Sequence, residues 1–214
     1  MTTQPTRTRG HFIVFEGGEG VGKSTQIAKL ATYISATYPD LKVVQSREPG
    51  GTPAAEALRR IALDQDFVGL APRAEALVFA AARGDHAYQV LRPALAQGAC
   101  VILDRYVDSS IVYQGLARGL GAEEVEELSM WATESLIPDL VIVLDLDPAV
   151  GLSRVKTPDR LESEGLDFHH AVRRGFLERA AAHPDRFVVI DAAQDIDAVA
   201  EAVAQAVDKV LNVH

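Results

Sequence analysis

The sequence predicts an α/β domain of three layers, with a five-stranded parallel sheet flanked by helices. Three observations carry that expectation: short apolar runs that do not alternate, helical repeats between them, and a glycine-rich turn joining the first run to the first helix. The runs are "HFIVF" (11–15), "LKVVQS" (41–46), "CVILD" (100–104), "LVIVLDL" (140–146) and "RFVVI" (186–190). They are rich in Val and Ile, as strands buried on both faces are. After the first run, Ile27, Leu30, Ala31, Ile34 and Tyr38 recur at helical spacing. The Ala-rich segment from Pro72 to Gln97 reads as a helix that stops before Gly98, a good C-terminal signal. Ile196, Val199, Val203, Val207 and Val210 form the last helical stripe. Such strand–helix alternation implies right-handed crossovers. The stretch "KTPDRLESEG" (156–165) interrupts the pattern. It is polar, lacks apolar anchors and is expected to be mobile. No repeat or composition break marks a second domain, so residues 11–214 are expected to form one domain behind a flexible polar tail, residues 1–10.

Composition narrows the partners. A formal net charge of −9 argues against a nucleic-acid surface, which usually carries a basic stripe. The single cysteine, Cys100, lies in the apolar run "ACVIL", which leaves no internal disulfide and no thiolate metal cage. No stretch approaches the roughly 18 apolar residues of a membrane span, and the N-terminal apolar run is too short for a signal-peptide core. A cytoplasmic protein is expected, with neither nucleic acid nor membrane as partner.

The turn after the first run, "FEGGEGVGKST" (15–25), fits G-x-x-x-x-G-K-[ST] with Gly17, Gly22, Lys23 and Ser24. Glycines let backbone N–H groups converge on phosphate oxygens, and the start of the following helix adds partial positive charge. Lys23 supplies a full charge to the β and γ phosphates, and the Ser24 hydroxyl can ligate Mg²⁺. The strand–loop–helix context favours this phosphate loop over a glycine turn with a solvated lysine. A P-loop NTPase fold follows, although switches, ATPases and kinases all use it. The guanine-reading N-K-x-D is absent, and "DFVG" (66–69) follows no strand.

The second informative stretch is "LDRYVDSSIVYQG" (103–115). Asp104 and Arg105 end a strand expected beside the phosphate-loop strand, at the edge of the sheet where α/β folds bind ligands. An aspartate there can orient Mg²⁺ or its water shell, and the arginine can clamp a second phosphate bidentately. A structural ion pair is the plainer alternative.

With "REPGGT" (47–52), "FAAAR" (79–83) and "DRLE" (159–162) added in this order, the chain resembles the bacterial thymidylate kinases of the P-loop nucleoside monophosphate kinase family, from about residue 12 to residue 193. The resemblance implies ATP and Mg²⁺ across Gly17, Gly18, Glu19, Gly20, Val21, Gly22, Lys23, Ser24 and Thr25, with Ser24 and Asp104 at the metal. It implies dTMP as acceptor: Arg59 and Arg105 on its phosphate with Glu48 at the same end, and Glu19 near the 3′-hydroxyl. Phe79 would stack on thymine, with Arg83 at its O4. Ser110 and Gln114 would line the base, Ser109 would also contact the substrate, and Tyr113 would crowd the 2′ position. Phe79 and Tyr113 could equally be packing, and Arg59 and Arg83 solvated helix faces. A lid at about 154–166 would supply a transition-state cation, since the loop itself has no basic residue at positions 18–21. Arg160 is expected in that role, ahead of Arg154 and Lys156, and Arg154 is expected near the donor nucleotide. His169 and His170 read as helix surface or pocket rim. A homodimer through helices is the implied assembly. Another monophosphate or deoxynucleoside kinase, or a non-catalytic ATP-binding module, shares parts of this pattern.

Overall fold

The computed structural model describes residues 9–212. Of the expected N-terminal tail, residues 1–8 lie outside this range. Arg9 and Gly10 are anchored: the Gly10 N–H donates to Leu95 O at 2.9 Å, and Arg9 pairs with Asp139 at 3.2 Å. The packed domain thus starts a little earlier than expected.

All five expected strands are present: β1 (Phe12–Glu16), β2 (Val43–Arg47), β3 (Cys100–Asp104), β4 (Leu140–Asp145) and β5 (Phe187–Asp191). They form one sheet in the order β2-β3-β1-β4-β5, with every pairing parallel. The central strands carry apolar side chains on both faces because helices cover both. Phe12 and Val14 face one layer and Ile13 and Phe15 the other, all fully buried. Each such burial contributes about 1.5–3 kcal/mol.

One layer consists of α1 (Lys23–Thr37) and α9 (Ile196–Leu211), whose Ile34, Val203 and Val207 pack on Ile13, Ile102 and Ile142. The other layer holds the remaining large helices. α2 (Pro53–Leu63) begins at Thr52, whose hydroxyl accepts from Ala55 N–H at 3.1 Å, with Pro53 in the first turn. α3 (Pro72–His86) continues through a π-helical turn (Ala87–Leu91) into α4 (Arg92–Ala96). The expected Ala-rich helix is therefore continuous but widened. Pro93 has no N–H and would crowd the Gln89 carbonyl in a regular helix, and the turn before it is wound wider, Arg92 N–H bonding Ala87 O. α5 (Val107–Ser110) also runs on into a π-helical segment (Ile111–Ala117), followed by α6 (Ala122–Ala132), α7 (Pro148–Leu152) and α8 (Leu166–Ala182).

Chain direction fixes the crevice. α1 leaves β1 toward the α1/α9 layer, whereas α5 leaves β3 toward the opposite layer. The two strands are neighbours, with Phe15 paired to Asp104. Their C-terminal ends therefore open at a topological switch point, where helices diverge and leave a groove.

The lid departs from expectation. Residues 153–165 form turns between α7 and α8, but the segment is docked and has an apolar anchor. Leu161 is 6% exposed within the core, and the Arg160 N–H and guanidinium both bond backbone oxygens at the end of α2. The absence of an apolar anchor inferred from composition is thus corrected. One leucine and a buried arginine suffice when a helix end offers unpaired carbonyls.

Candidate active site

The groove widens into a cleft of about 440 Å³ lined by the phosphate loop, the ends of β2 and β3, α2, α3, the 107–117 helix and the lid turn. Among the sequence-predicted site residues, only Gly17, Gly18, Arg154 and Arg160 are absent from its lining.

The loop wraps because two glycines sit where a Cβ cannot. Gly17 has φ +131° and an added Cβ would lie 2.4 Å from Leu144 O; Gly20 has φ +65° and its Cβ would lie 2.0 Å from Gly151 O. The second contact seats α7, which leads into the lid, directly on the loop. From there the exposed Arg154 donates to Gly20 O at 3.1 Å. Lys23 is 8% exposed and donates to Gly18 O at 2.7 Å and Gly17 O at 3.3 Å. Burial and the nearby Arg105 lower its pKa, with Glu19, Asp104 and Glu16 opposing.

Arg105 occupies the left-handed region at φ 65°, a conformation costing a non-glycine residue about 1–2 kcal/mol. It turns the side chain back over the loop, where Nη1 donates to Gly17 O at 3.0 Å and Nη2 to Glu19 at 2.7 Å. Tyr113 O–H donates to the same Glu19 oxygen at 2.6 Å. Burial pushes the Glu19 pKa up, but Arg105, Lys23 and these hydrogen bonds outweigh it and hold the group at about 2. Arg59 donates to Pro49 O at 2.8 Å, and its pKa is lowered by burial and by Arg47.

Asp104 Oδ2 lies 3.5 Å from Ser24 Oγ, while Oδ1 is buried without a hydrogen-bond partner. A buried carboxylate oxygen left unpaired beside a hydroxyl is a donor set for a hard divalent cation. The residues present fit Mg²⁺.

At the other end, Arg83 is 3% exposed, pairs with Glu48 at 2.7 Å and donates to Tyr106 O, Ser110 Oγ and Ser129 Oγ. These four bonds leave one of the five N–H donors of a guanidinium. Glu48 joins the two ends: its carboxylate pairs with Arg83, while its N–H donates to Asp104 O at 2.8 Å. His86, fully buried, bridges the other Glu48 oxygen at 3.2 Å and Ser46 Oγ at 2.8 Å. Phe79 is 7% exposed, with one part in the core and one lining the cleft. Tyr113 lines the cleft and also packs edge-on against Phe168.

Arg160 does not reach the phosphate loop. Its guanidinium bonds Ala62 O at 3.0 Å and pairs with buried Glu75 at 2.6 Å. Arg154 is the lid cation at the loop. His169 is 3% exposed with Nε2 unpartnered, so it is interior rather than surface, and burial lowers its pKa.

Some residues of the site lie inside the quoted motifs but carry no assigned role there. Glu16 ends β1 fully buried and accepts from Tyr106 N–H, Ser109 N–H and Ser109 O–H. Burial raises its pKa to about 7, against the pull of Arg105. Its sequence signal is a carboxylate closing a strand otherwise apolar on both faces, directly before the first loop glycine. Arg47, Asp159 and Glu162 also line the cleft.

A glycine loop that contacts neighbouring backbone, a buried lysine and an acid–arginine pair at the end of the adjacent strand define a P-loop nucleotide-binding protein. Residues 15–203 match the family model for thymidylate kinase. A thymidylate kinase from Bifidobacterium longum (strain DJO10A) is 50% identical over 194 residues, covering 89% of this chain and 93% of its own length. The thymidylate kinase of Pediococcus pentosaceus is 43% identical over 208 residues, covering 95% and 99%. The crystal structure of thymidylate kinase from Ehrlichia chaffeensis superposes with a TM-score of 0.77 at 32% identity, covering 93% of this chain and 99% of that one. The chain belongs to the thymidylate kinase family.

Proposed function

We propose that this chain transfers the γ-phosphoryl group of ATP to dTMP, giving ADP and dTDP. The observation that carries this reading is the single cleft joining the phosphate loop to Arg105 at one end and to Phe79, Arg83 and Gln114 at the other. A nucleotide-binding module alone has no use for a second phosphate clamp followed by a base-sized apolar and polar pocket.

Phosphoryl transfer rests on positioning and on neutralising charge spread over the transferred group. Lys23 and the loop N–H groups hold the donor phosphates. Arg105 and Arg59 hold the acceptor phosphate in line with them. Glu19 keeps Arg105 aimed across the loop and, ionised through the neutral range, can accept from a sugar hydroxyl. Arg154, already at the loop, is the lid residue best situated to meet the developing charge. Ser24 and Asp104 would hold Mg²⁺, which would supply positive charge to neutralise the donor phosphates. Phe79 supplies a face for the base, and Arg83 a donor.

A homodimer working in the cytoplasm completes the proposal. Exposed Leu77, Tyr88 and Trp131, on α3, the turn that follows it and α6, support a helical contact face. Light scattering checks the assembly. The activity is tested by following ADP release from ATP across a panel of nucleoside monophosphates. Release dependent on dTMP supports the reading. Dependence on a different monophosphate, or release without any acceptor, defeats it.

A further inference from the structure

Glu75 is 1% exposed and lies where α3, the 107–117 helix and the lid meet. Its Oε1 accepts from Gln114 Nε2 at 3.0 Å, with Arg118 Nε at 3.5 Å. Its Oε2 pairs with Arg160 at 2.6 Å. A carboxylate offers only acceptors. Gln114, itself 1% exposed, must therefore turn its NH₂ toward Glu75 and its carbonyl oxygen away, and no described residue is seen to donate to that oxygen. Gln114 lines the cleft beside Arg83 and Ser110.

We propose that Glu75 is a positioning residue that sets the polarity of base recognition, fixing the Gln114 amide so that it presents an acceptor to the base. The inference rests on the dTMP reading of the site and names what selects the base. Arg83 offers a donor nearby, so the pocket shows a donor and an acceptor side by side. Thymine matches this with its O4 acceptor and N3–H donor. Cytosine carries an amino donor and an unprotonated N3 acceptor, and is mismatched at both. The amide of a free glutamine could flip and serve either base; a fixed one cannot. Because the other Glu75 oxygen holds Arg160, docking of the lid and orientation of the amide share one carboxylate.

The test is Glu75→Gln. The new side chain can donate to Gln114 Oε1, which lets the amide turn its NH₂ to the base, while its own carbonyl still accepts from Arg160. The ratio of kcat/KM for dTMP over dCMP is expected to fall about tenfold or more, the worth of one hydrogen bond to a buried polar group. The change should appear in KM for dTMP more than in kcat. In a Gln114→Met background the same substitution should leave the ratio unmoved, since the two residues act as one unit. A purely structural Glu75 would lower both substrates in parallel and leave the ratio at the parent value, which overturns the proposal. If Glu75→Gln does not fold, the parent protein still decides. The Gln114 side-chain NH₂, identified in a ¹⁵N spectrum by its loss in Gln114→Met, should exchange slowly with water whether or not dTMP is bound. Fast exchange in both states overturns the proposal. A parent enzyme that ignores dTMP would defeat the functional reading instead, and the exchange measurement would still report on Glu75.

Discussion

At the phosphate loop, backbone holds the charged side chains: Lys23 and Arg105 both donate to loop carbonyls, and the loop is shaped by Gly17 and Gly20 against neighbouring main chain. At the lid, a buried carboxylate joins the backbone contacts: Arg160 bonds Ala62 O and also pairs with Glu75, and Glu75 in turn accepts from Gln114 and Arg118. The loop is thus set mainly by main-chain contacts that its glycine spacing permits, whereas the lid turns on one buried carboxylate. Arg154 and Arg160, six residues apart, fall on opposite sides of this divide.

Substituting those two arginines separates the regions most widely. Arg154→Ala should lower kcat on the order of 10³-fold, the lower bound for an arginine supplied to a phosphoryl transition state, with melting temperature unchanged. Arg160→Ala leaves Glu75 buried with a weaker partner, so denaturant titration should show a loss of about 3 kcal/mol, and turnover should fall less than in Arg154→Ala. Reversal of the two outcomes would return the catalytic role to Arg160. Within the loop, Lys23→Ala should reduce kcat by roughly 10²–10³-fold while the dissociation constant for dTMP, measured by calorimetry, changes little.

A smaller effect comes from Glu16. Its pKa is raised to about 7 in the folded protein against an unfolded value near 4.5, so the folded state binds more protons between those pH values. Its contribution to stability therefore falls as pH rises through that window, by about 2.5 kcal/mol between pH 5 and pH 8. Glu19, held at about 2, is ionised in the folded state throughout and largely so in the unfolded state, so it contributes little slope above pH 5. Urea titrations of the parent and Glu16→Gln at the two pH values check this; the variant should lose most of the dependence. Smallest of all, Arg9→Ala removes an ion pair with Asp139 whose side chains are 46% and 30% exposed, and should cost less than about 1 kcal/mol.

The same divide governs what could be read from sequence. The strands announce themselves because a parallel strand buried on both faces must be apolar throughout, and the phosphate loop because its geometry demands glycines at fixed spacing. Asp104 and Arg105 follow from their place at a strand end next to the loop strand. Glu75 illustrates the limit. It lies four residues before Phe79 and eight before Arg83, hence on the same helix face, yet an acidic residue in the first turn of a helix is also ordinary capping. Only the fold brings Arg160 and Gln114 to it. The seating of Arg154 depends likewise on Gly151 meeting Gly20, a contact 131 positions apart that no local pattern announces.

The central claim is that donor and acceptor phosphates meet in one crevice between the loop and the end of β3. Inhibition by adenosine and thymidine joined 5′ to 5′ through five phosphates tests it most directly. Such a molecule should compete with ATP and with dTMP alike, and bind more tightly than either. Competition against one substrate only, with the other still binding to the inhibited protein, would contradict it.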